Sequence, residues 1–269
     1  MREWANEENT MKTATVEKRI KDRYGRFFKR LGINKKTGDF LSGRWQGKIK
    51  FSTYPIIGSL YGKDRRKNIL FIGLDVGRDE HNAKNGAAQD QAEKGILGFE
   101  YKRDKVERSD KHNPHIYGLL IGTLYLLRDH YFSSEDEWKN FMKGATYKKL
   151  ADSFNDSHKA VNLLSYVSLT NFYKYVSIGR ESRVGGADRR NIFTNEEWDL
   201  LKDEIKIFDP RLIVFQSTEF AKEDSWLKLF VDEMRKENSK RIMYVSAHPS
   251  YQGFHQKAVA YLKTFKEIK

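Results

Sequence analysis

Three short polar groupings, each directly following an apolar run, hold residue types from which polar catalysis can be built. Asp75 follows the run Asn68–Ile72 and sits between Gly73 and Gly77. Asn171 follows the run Leu163–Leu169, and His248 opens His248-Pro249-Ser250 after the run Arg241–Ser246. A carboxylate can stabilise a developing cation and orient water, and an imidazole can donate to a developing anion. A carboxamide offers both a donor and an acceptor and can read the edge of a planar ring. Each residue also has a plainer use: Asp75 as a turn cap, Asn171 as a loop partner, His248 as a core histidine. Three such residues at equivalent places after three strands are a less probable coincidence than one.

The elements that would position them follow from periodicity. Val16, Ile20, Tyr24, Phe27, Phe28 and Leu31 recur at helical spacing over Thr15–Leu31, and Gly32 is a stop signal. Residues 1–14 are polar and expected to be loose. Residues 32–62 read as an irregular, Gly- and aromatic-rich segment lining one side of the site. Pro114–Tyr131 reads as a mostly buried helix, with further helical pieces around Trp138 and Phe141 and over Tyr147–Phe154. Thr194 and Glu197 have capping-box spacing and open a helix to about Ile207. Strands are expected at 68–73, 163–169, 212–215 and 241–246, a helix over Glu223–Lys236, and a final helix over 255–267. Strands alternating with helices imply a parallel sheet covered on both faces. The expected fold is therefore α/β, a three-layer α/β/α sandwich around a central four-stranded, mostly parallel sheet. Residues 1–62 form an N-terminal helical extension packed on the α/β domain of residues 63–269. In such a sheet the strand ends share one edge, where ligands bind, so Asp75, Asn171 and His248 are expected to converge.

Composition narrows the partner and the chemistry. The 269-residue chain carries 50 Lys plus Arg against 37 Asp plus Glu, a formal charge of +13, which points to a polyanionic partner, most often nucleic acid. Cysteine is absent, which excludes disulfides, thiolate zinc sites, a cysteine nucleophile and Cys-ligated iron–sulfur clusters. No run is apolar enough to cross a bilayer and none reads as a secretory signal, so the expected setting is cytoplasmic with no membrane partner. Two long polar stretches stand out. Residues 78–113 contain the aromatic cluster Gly98-Phe99-Glu100-Tyr101, and a connection of that length is usually functional or mobile. Residues 177–190 contain Arg180, Arg183, Arg189 and Arg190 among glycines; they either bind phosphates or form a solvated surface loop.

The set Gly73-Leu-Asp-Val-Gly77, Thr170-Asn171-Phe-Tyr-Lys174 and His248-Pro-Ser250 resembles the uracil-DNA glycosylase superfamily, in order and spacing, over about residues 68–254. The resemblance implies a monofunctional DNA glycosylase without metal or cofactor, acting as a monomer on double- or single-stranded DNA. It implies that Asp75 stabilises the oxocarbenium-like sugar and orients water. His248 stabilises the departing base anion, Asn171 reads the base edge, and Phe99 stacks on the flipped base. Ser250 would hold phosphate, and Tyr251 and Gln252 would enter the duplex or support the flipped nucleotide. Lys174 and the four loop arginines complete the expected DNA-binding set. A base inside the stack is out of reach, so flipping is expected.

The chain departs from the family pattern at the first motif. Val76 stands where Pro is usual. Gly77 replaces the Tyr that narrows the pocket of the strict uracil branch, and Arg78 replaces a His. A glycine there leans towards a roomier pocket, and so towards a pyrimidine with a bulky C5 group, such as a hypermodified phage base met in antiviral defence. The competing expectations are ordinary uracil repair, a non-catalytic DNA-binding module of the same fold and, last, a metal-dependent nuclease built on Asp75, Asp79 and Glu80.

Overall fold

A computed structural model describes residues 2–51, 54–74, 114–143, 163–177, 194–249 and 258–268. Four five-residue strands form its centre: β3 (Ile69–Gly73), β4 (Val167–Asn171), β6 (Leu212–Gln216) and β7 (Ile242–Ser246). They are parallel to one another, in the order β4-β3-β6-β7. Two-residue strands close the edges, β2 (Ile56–Ile57) antiparallel to β4 and β8 (Lys266–Glu267) antiparallel to β7, which makes a six-stranded sheet. A separate antiparallel ribbon joins β1 (Ile49–Phe51) to β5 (Tyr175–Ser177).

Strands β3, β6 and β7 are apolar at nearly every position because both faces are covered, whereas β4 carries Ser168, Thr170 and Asn171. Side chains alternate across a strand. Leu70, Ile72, Ile213, Phe215, Met243 and Val245 go to one buried cluster, while Ile69, Phe71, Val167, Leu212 and Val214 go to another. The first face is packed by helices α1 (Arg2–Leu31), α4 (Asn195–Phe208) and α5 (Trp226–Glu237). The second carries α2 (Pro114–Leu126), α3 (Glu135–Met142) and α6 (Ala258–Leu262). The expected apolar stripe of α1 is in place, with Ile20, Tyr24, Phe27 and Phe28 buried in the same cluster as Leu70 and Ile72. Gly32, at φ +63°, ends that helix in the left-handed region where glycine carries no steric penalty.

Several expectations are corrected. Helix α1 begins at Arg2, not near Thr15. Residues 2–14 lack apolar periodicity but are rich in Glu, Ala, Arg, Lys and Met, good helix formers that can extend a nucleated helix. The sheet has six strands, not four, because two-residue edge strands are too short to leave a periodic signal. The segment 32–62 supplies strands β1 and β2, and Phe51, Tyr54, Ile57 and Tyr61 are buried in the core. Leu163–Tyr166 is a turn of 3-10 helix that precedes β4. The expected C-terminal helix stops at Leu262, after which the chain turns at Thr264 and returns as β8. The helical piece expected over Tyr147–Phe154 lies outside the described residues.

Candidate functional site

Parallel pairing brings the ends of four strands to one edge. Gly73 is in register with Asn171. The pairing continues past the strands, Phe172 N donating to Gly73 O and Tyr173 N to Leu74 O, both at 2.8 Å. The backbone leading into Asp75 is thus fixed against the backbone leaving Asn171. Glycine at 73 has a steric reason: a Cβ there would lie 2.8 Å from Asn171 Oδ1. The half-buried Asn171 amide occupies the space that a side chain at 73 would need. Asp75, Gly77 and Phe99 lie outside the described residues.

The second motif is held from both sides. After β7 ends at Ser246, Ala247 N donates to Thr264 Oγ1 at 3.0 Å, and that hydroxyl donates to Tyr261 O at 2.7 Å. Pro249 packs directly on α2, where a Cβ at Gly118 would come within 2.2 Å of its Cβ. Between these anchors His248 is exposed. Strand β7 is two places from β3 and three from β4. At about 4.8 Å per strand, His248 stands roughly 10 Å along the edge from the Asp75 strand and roughly 14 Å from the Asn171 strand. Ser250, Tyr251, Gln252, Arg180, Arg183, Arg189 and Arg190 lie outside the described residues.

Lys174 is not a DNA contact, contrary to the expectation from sequence. Its side chain is 1% exposed. Its Nζ lies 2.7 Å from Glu204 Oε1 and donates to Glu204 Oε2 at 2.8 Å and to Thr170 Oγ1 at 2.7 Å. Thr170 in turn donates to Glu204 at 2.7 Å, and the Tyr24 hydroxyl from α1 also donates to this carboxylate. Burial lowers the Lys174 pKa, while Glu204 and Glu197 raise it. The ammonium is committed to a closed internal network, so no phosphate can use it.

Glu197, first noticed as a capping residue, does more than cap. Its Oε2 accepts from Thr194 N at 3.1 Å as the capping box requires. Its Oε1 accepts from Lys174 N at 2.7 Å and from Tyr175 N at 3.2 Å, tying α4 to the chain just after Asn171. Burial pushes Glu197 up to about 8, against the pull of those backbone donors and of Lys174. Between the ordinary value of 4.5 and about 8, the folded state holds a proton that the unfolded chain has released. The contribution of Glu197 therefore favours folding at the acidic end and is lost as pH rises towards 8. Thermal melts from about pH 5 to about pH 8.5 should show stability falling with pH, and Glu197→Gln should flatten the slope. An unchanged slope in that variant would assign the effect to another group.

Glu197, Glu204 and Gln216 are the polar residues of this region that sequence reasoning did not select as site-forming. The signal available for Gln216 was its type, a polar residue closing the apolar run Leu212–Phe215 at the same edge. Among the described residues no group of three or more His, Asp or Glu is arranged to hold a metal ion, and no helix is long and apolar enough to cross a membrane. Asp79 and Glu80, on which the nuclease alternative rested with Asp75, lie outside the described residues. No family model, curated protein or solved structure matches this chain.

Proposed function

We propose that the protein is a DNA glycosylase that hydrolyses the N-glycosidic bond of a flipped-out pyrimidine, with a fold of the uracil-DNA glycosylase kind. The observation that supports it most is the shared edge. Gly73 and Asn171 are directly paired, and the His248 turn leaves a strand two places away in the same parallel set. A carboxylate two residues past Gly73, a carboxamide and an imidazole thus leave strands of one edge that are within roughly 14 Å of one another.

In this reading the bond from C1′ to the base nitrogen breaks first in the transition state. Asp75 faces the cationic sugar and takes a proton from the water that adds to C1′. The electron pair leaves with the base, whose negative charge His248 stabilises by donating a hydrogen bond. Asn171 holds the base edge. Exposed basic residues along α1, among them Lys18, Arg19, Lys21, Arg26, Lys29 and Arg30, fit a polyanionic partner. Gly77, in place of a bulky aromatic, favours a pyrimidine with a large C5 substituent.

The test is a panel of oligonucleotides carrying uracil, cytosine, 5-hydroxymethylcytosine or its glucosylated form, followed by alkaline cleavage at abasic sites. Release of a C5-modified cytosine at a rate at least equal to that of uracil is the expected result. Release of uracil alone would return the protein to uracil repair. Duplex binding without any release would make it a non-catalytic DNA-binding module.

A further inference from the structure

Helices α1 and α4 lie side by side on the first face of the sheet. The Tyr24 hydroxyl donates to Glu204 between them, and Arg23 pairs with Asp203 at 2.6 Å. Beside these contacts the two helices leave an open groove of about 320 Å³. One wall is a single stripe of α1, Arg19, Asp22, Arg23 and Arg26, at the spacing that puts side chains on one helix face. The other wall is the matching stripe of α4, Asp203, Lys206 and Ile207. The groove stands apart from the candidate site. Glu197, near the start of α4, holds the chain just after Asn171. The stripe begins at Asp203, roughly 9 Å further down the helix.

The walls carry four cations against two carboxylates. Arg23 and Asp203 neutralise each other. Arg19, Arg26 and Lys206 are exposed and form no ion pair among the described residues. Lys206 acts on Glu233 at longer range, but Lys202 holds that carboxylate at 2.6 Å. Asp22 is the carboxylate of the lining that remains to oppose the three cations. Like charges facing one another across a groove repel, and an anion between them reverses that cost. Arg19 and Arg26 are about 10 Å apart along α1. A lone phosphate reaches one end of that span. A nucleic-acid strand, advancing about 3.4 Å per phosphate, lays about three along it. The planar fork of an arginine donates to phosphate oxygens in pairs.

We propose that the groove between α1 and α4 is a phosphodiester-binding site that seats the backbone of one nucleic-acid strand. Arg19 and Arg26 donate to phosphate oxygens from one wall and Lys206 from the other. Such contacts hold the strand in place and carry no sequence information. Asp22 weakens the hold and keeps the contact exchangeable. The site needs only a polyanionic strand, in keeping with the formal charge of +13, and stands whether or not the distant strand edge releases a base.

The experiment measures binding of a fluorescently labelled single-stranded oligonucleotide without modified bases, from about 50 to about 200 mM salt. Arg19→Gln/Arg26→Gln should lower the slope of log affinity against log salt by about 1.4, two phosphate contacts at about 0.7 each, and weaken binding about tenfold or more at about 100 mM salt. Lys206→Gln, on the facing helix, should lower the slope by about 0.7. Asp22→Asn should tighten binding by about threefold, a gain that loss of a structural contact would not give. Lys139→Gln/Lys143→Gln removes the same charge from exposed positions around α3, on the other face of the sheet, and should change the slope little. Melting temperatures should stay near wild type throughout, since every substituted side chain is exposed. Wild-type slopes in the Arg19/Arg26 and Lys206 variants would overturn the proposal, as would an equal loss in the α3 variant or no binding by the wild type. Binding to phosphatidylserine vesicles that the groove variants weaken, with oligonucleotide affinity untouched, would assign the groove to a membrane surface and overturn it as well.

Discussion

Lys174→Met is expected to destabilise the protein by about 3–5 kcal/mol, as for removal of one partner of a buried ion pair. The ammonium neutralises Glu204, which is 0% exposed. Without it the carboxylate keeps hydrogen bonds from Thr170 and Tyr24 but has no counter-charge, and must either stay ionised in the core or take up a proton. The loss is a desolvation penalty, not the net worth of the pair. Lys174→Met/Glu204→Met should accordingly be more stable than Lys174→Met alone, because no buried charge remains. Urea denaturation measures both. The alternative that sequence suggested, a surface lysine on DNA, predicts the reverse pattern: unchanged stability and weaker duplex binding. Unfolding of Lys174→Met within about 1 kcal/mol of wild type would contradict the internal network.

That residue marks where sequence stops being legible. The runs Ile69–Ile72, Leu212–Phe215 and Ile242–Ser246 were readable because a strand covered on both faces is apolar at nearly every position and bounded by polar residues. Alternation of those runs with amphipathic segments implied the parallel order, and with it the common edge. Lys174 was misread because its burial depends on partners 30 residues ahead, in α4, and on the Tyr24 hydroxyl, which reaches Glu204 across 180 residues of sequence. No local pattern encodes that meeting. The same limit applies to Gly73: a glycine beside an aspartate reads as a turn, and only the strand register shows that it makes room for Asn171. Gly118 is similar, since its contact is with Pro249, far away in the chain. The edge strands β2 and β8 and the early start of α1 escaped for another reason. They are set by pairing and by helix propagation, neither of which imposes an apolar period.

His248→Ala is expected to slow base release by about a hundredfold or more, the loss typical of removing one donor to a developing anion. Duplex affinity should change little, because the interaction forms mainly as the base departs. Structure gives His248 the support such a role needs. Ala247 is fixed by Thr264, Pro249 is fixed against Gly118, and the imidazole emerges between them at the edge that holds Asn171. Thr264→Val removes the Ala247 anchor while leaving the imidazole present, and should give a smaller loss, of about tenfold or less, from misorientation alone. Asp75→Asn tests the opposite charge. It should also lower the single-turnover rate without weakening duplex binding, since a carboxylate beside phosphates can only oppose that binding. Single-turnover kinetics with saturating protein, beside equilibrium binding to the same oligonucleotide, separates rate from affinity. A His248→Ala protein that keeps the wild-type rate and loses only duplex affinity would make His248 a phosphate ligand, and the anion-stabilising role would pass to another donor at the edge.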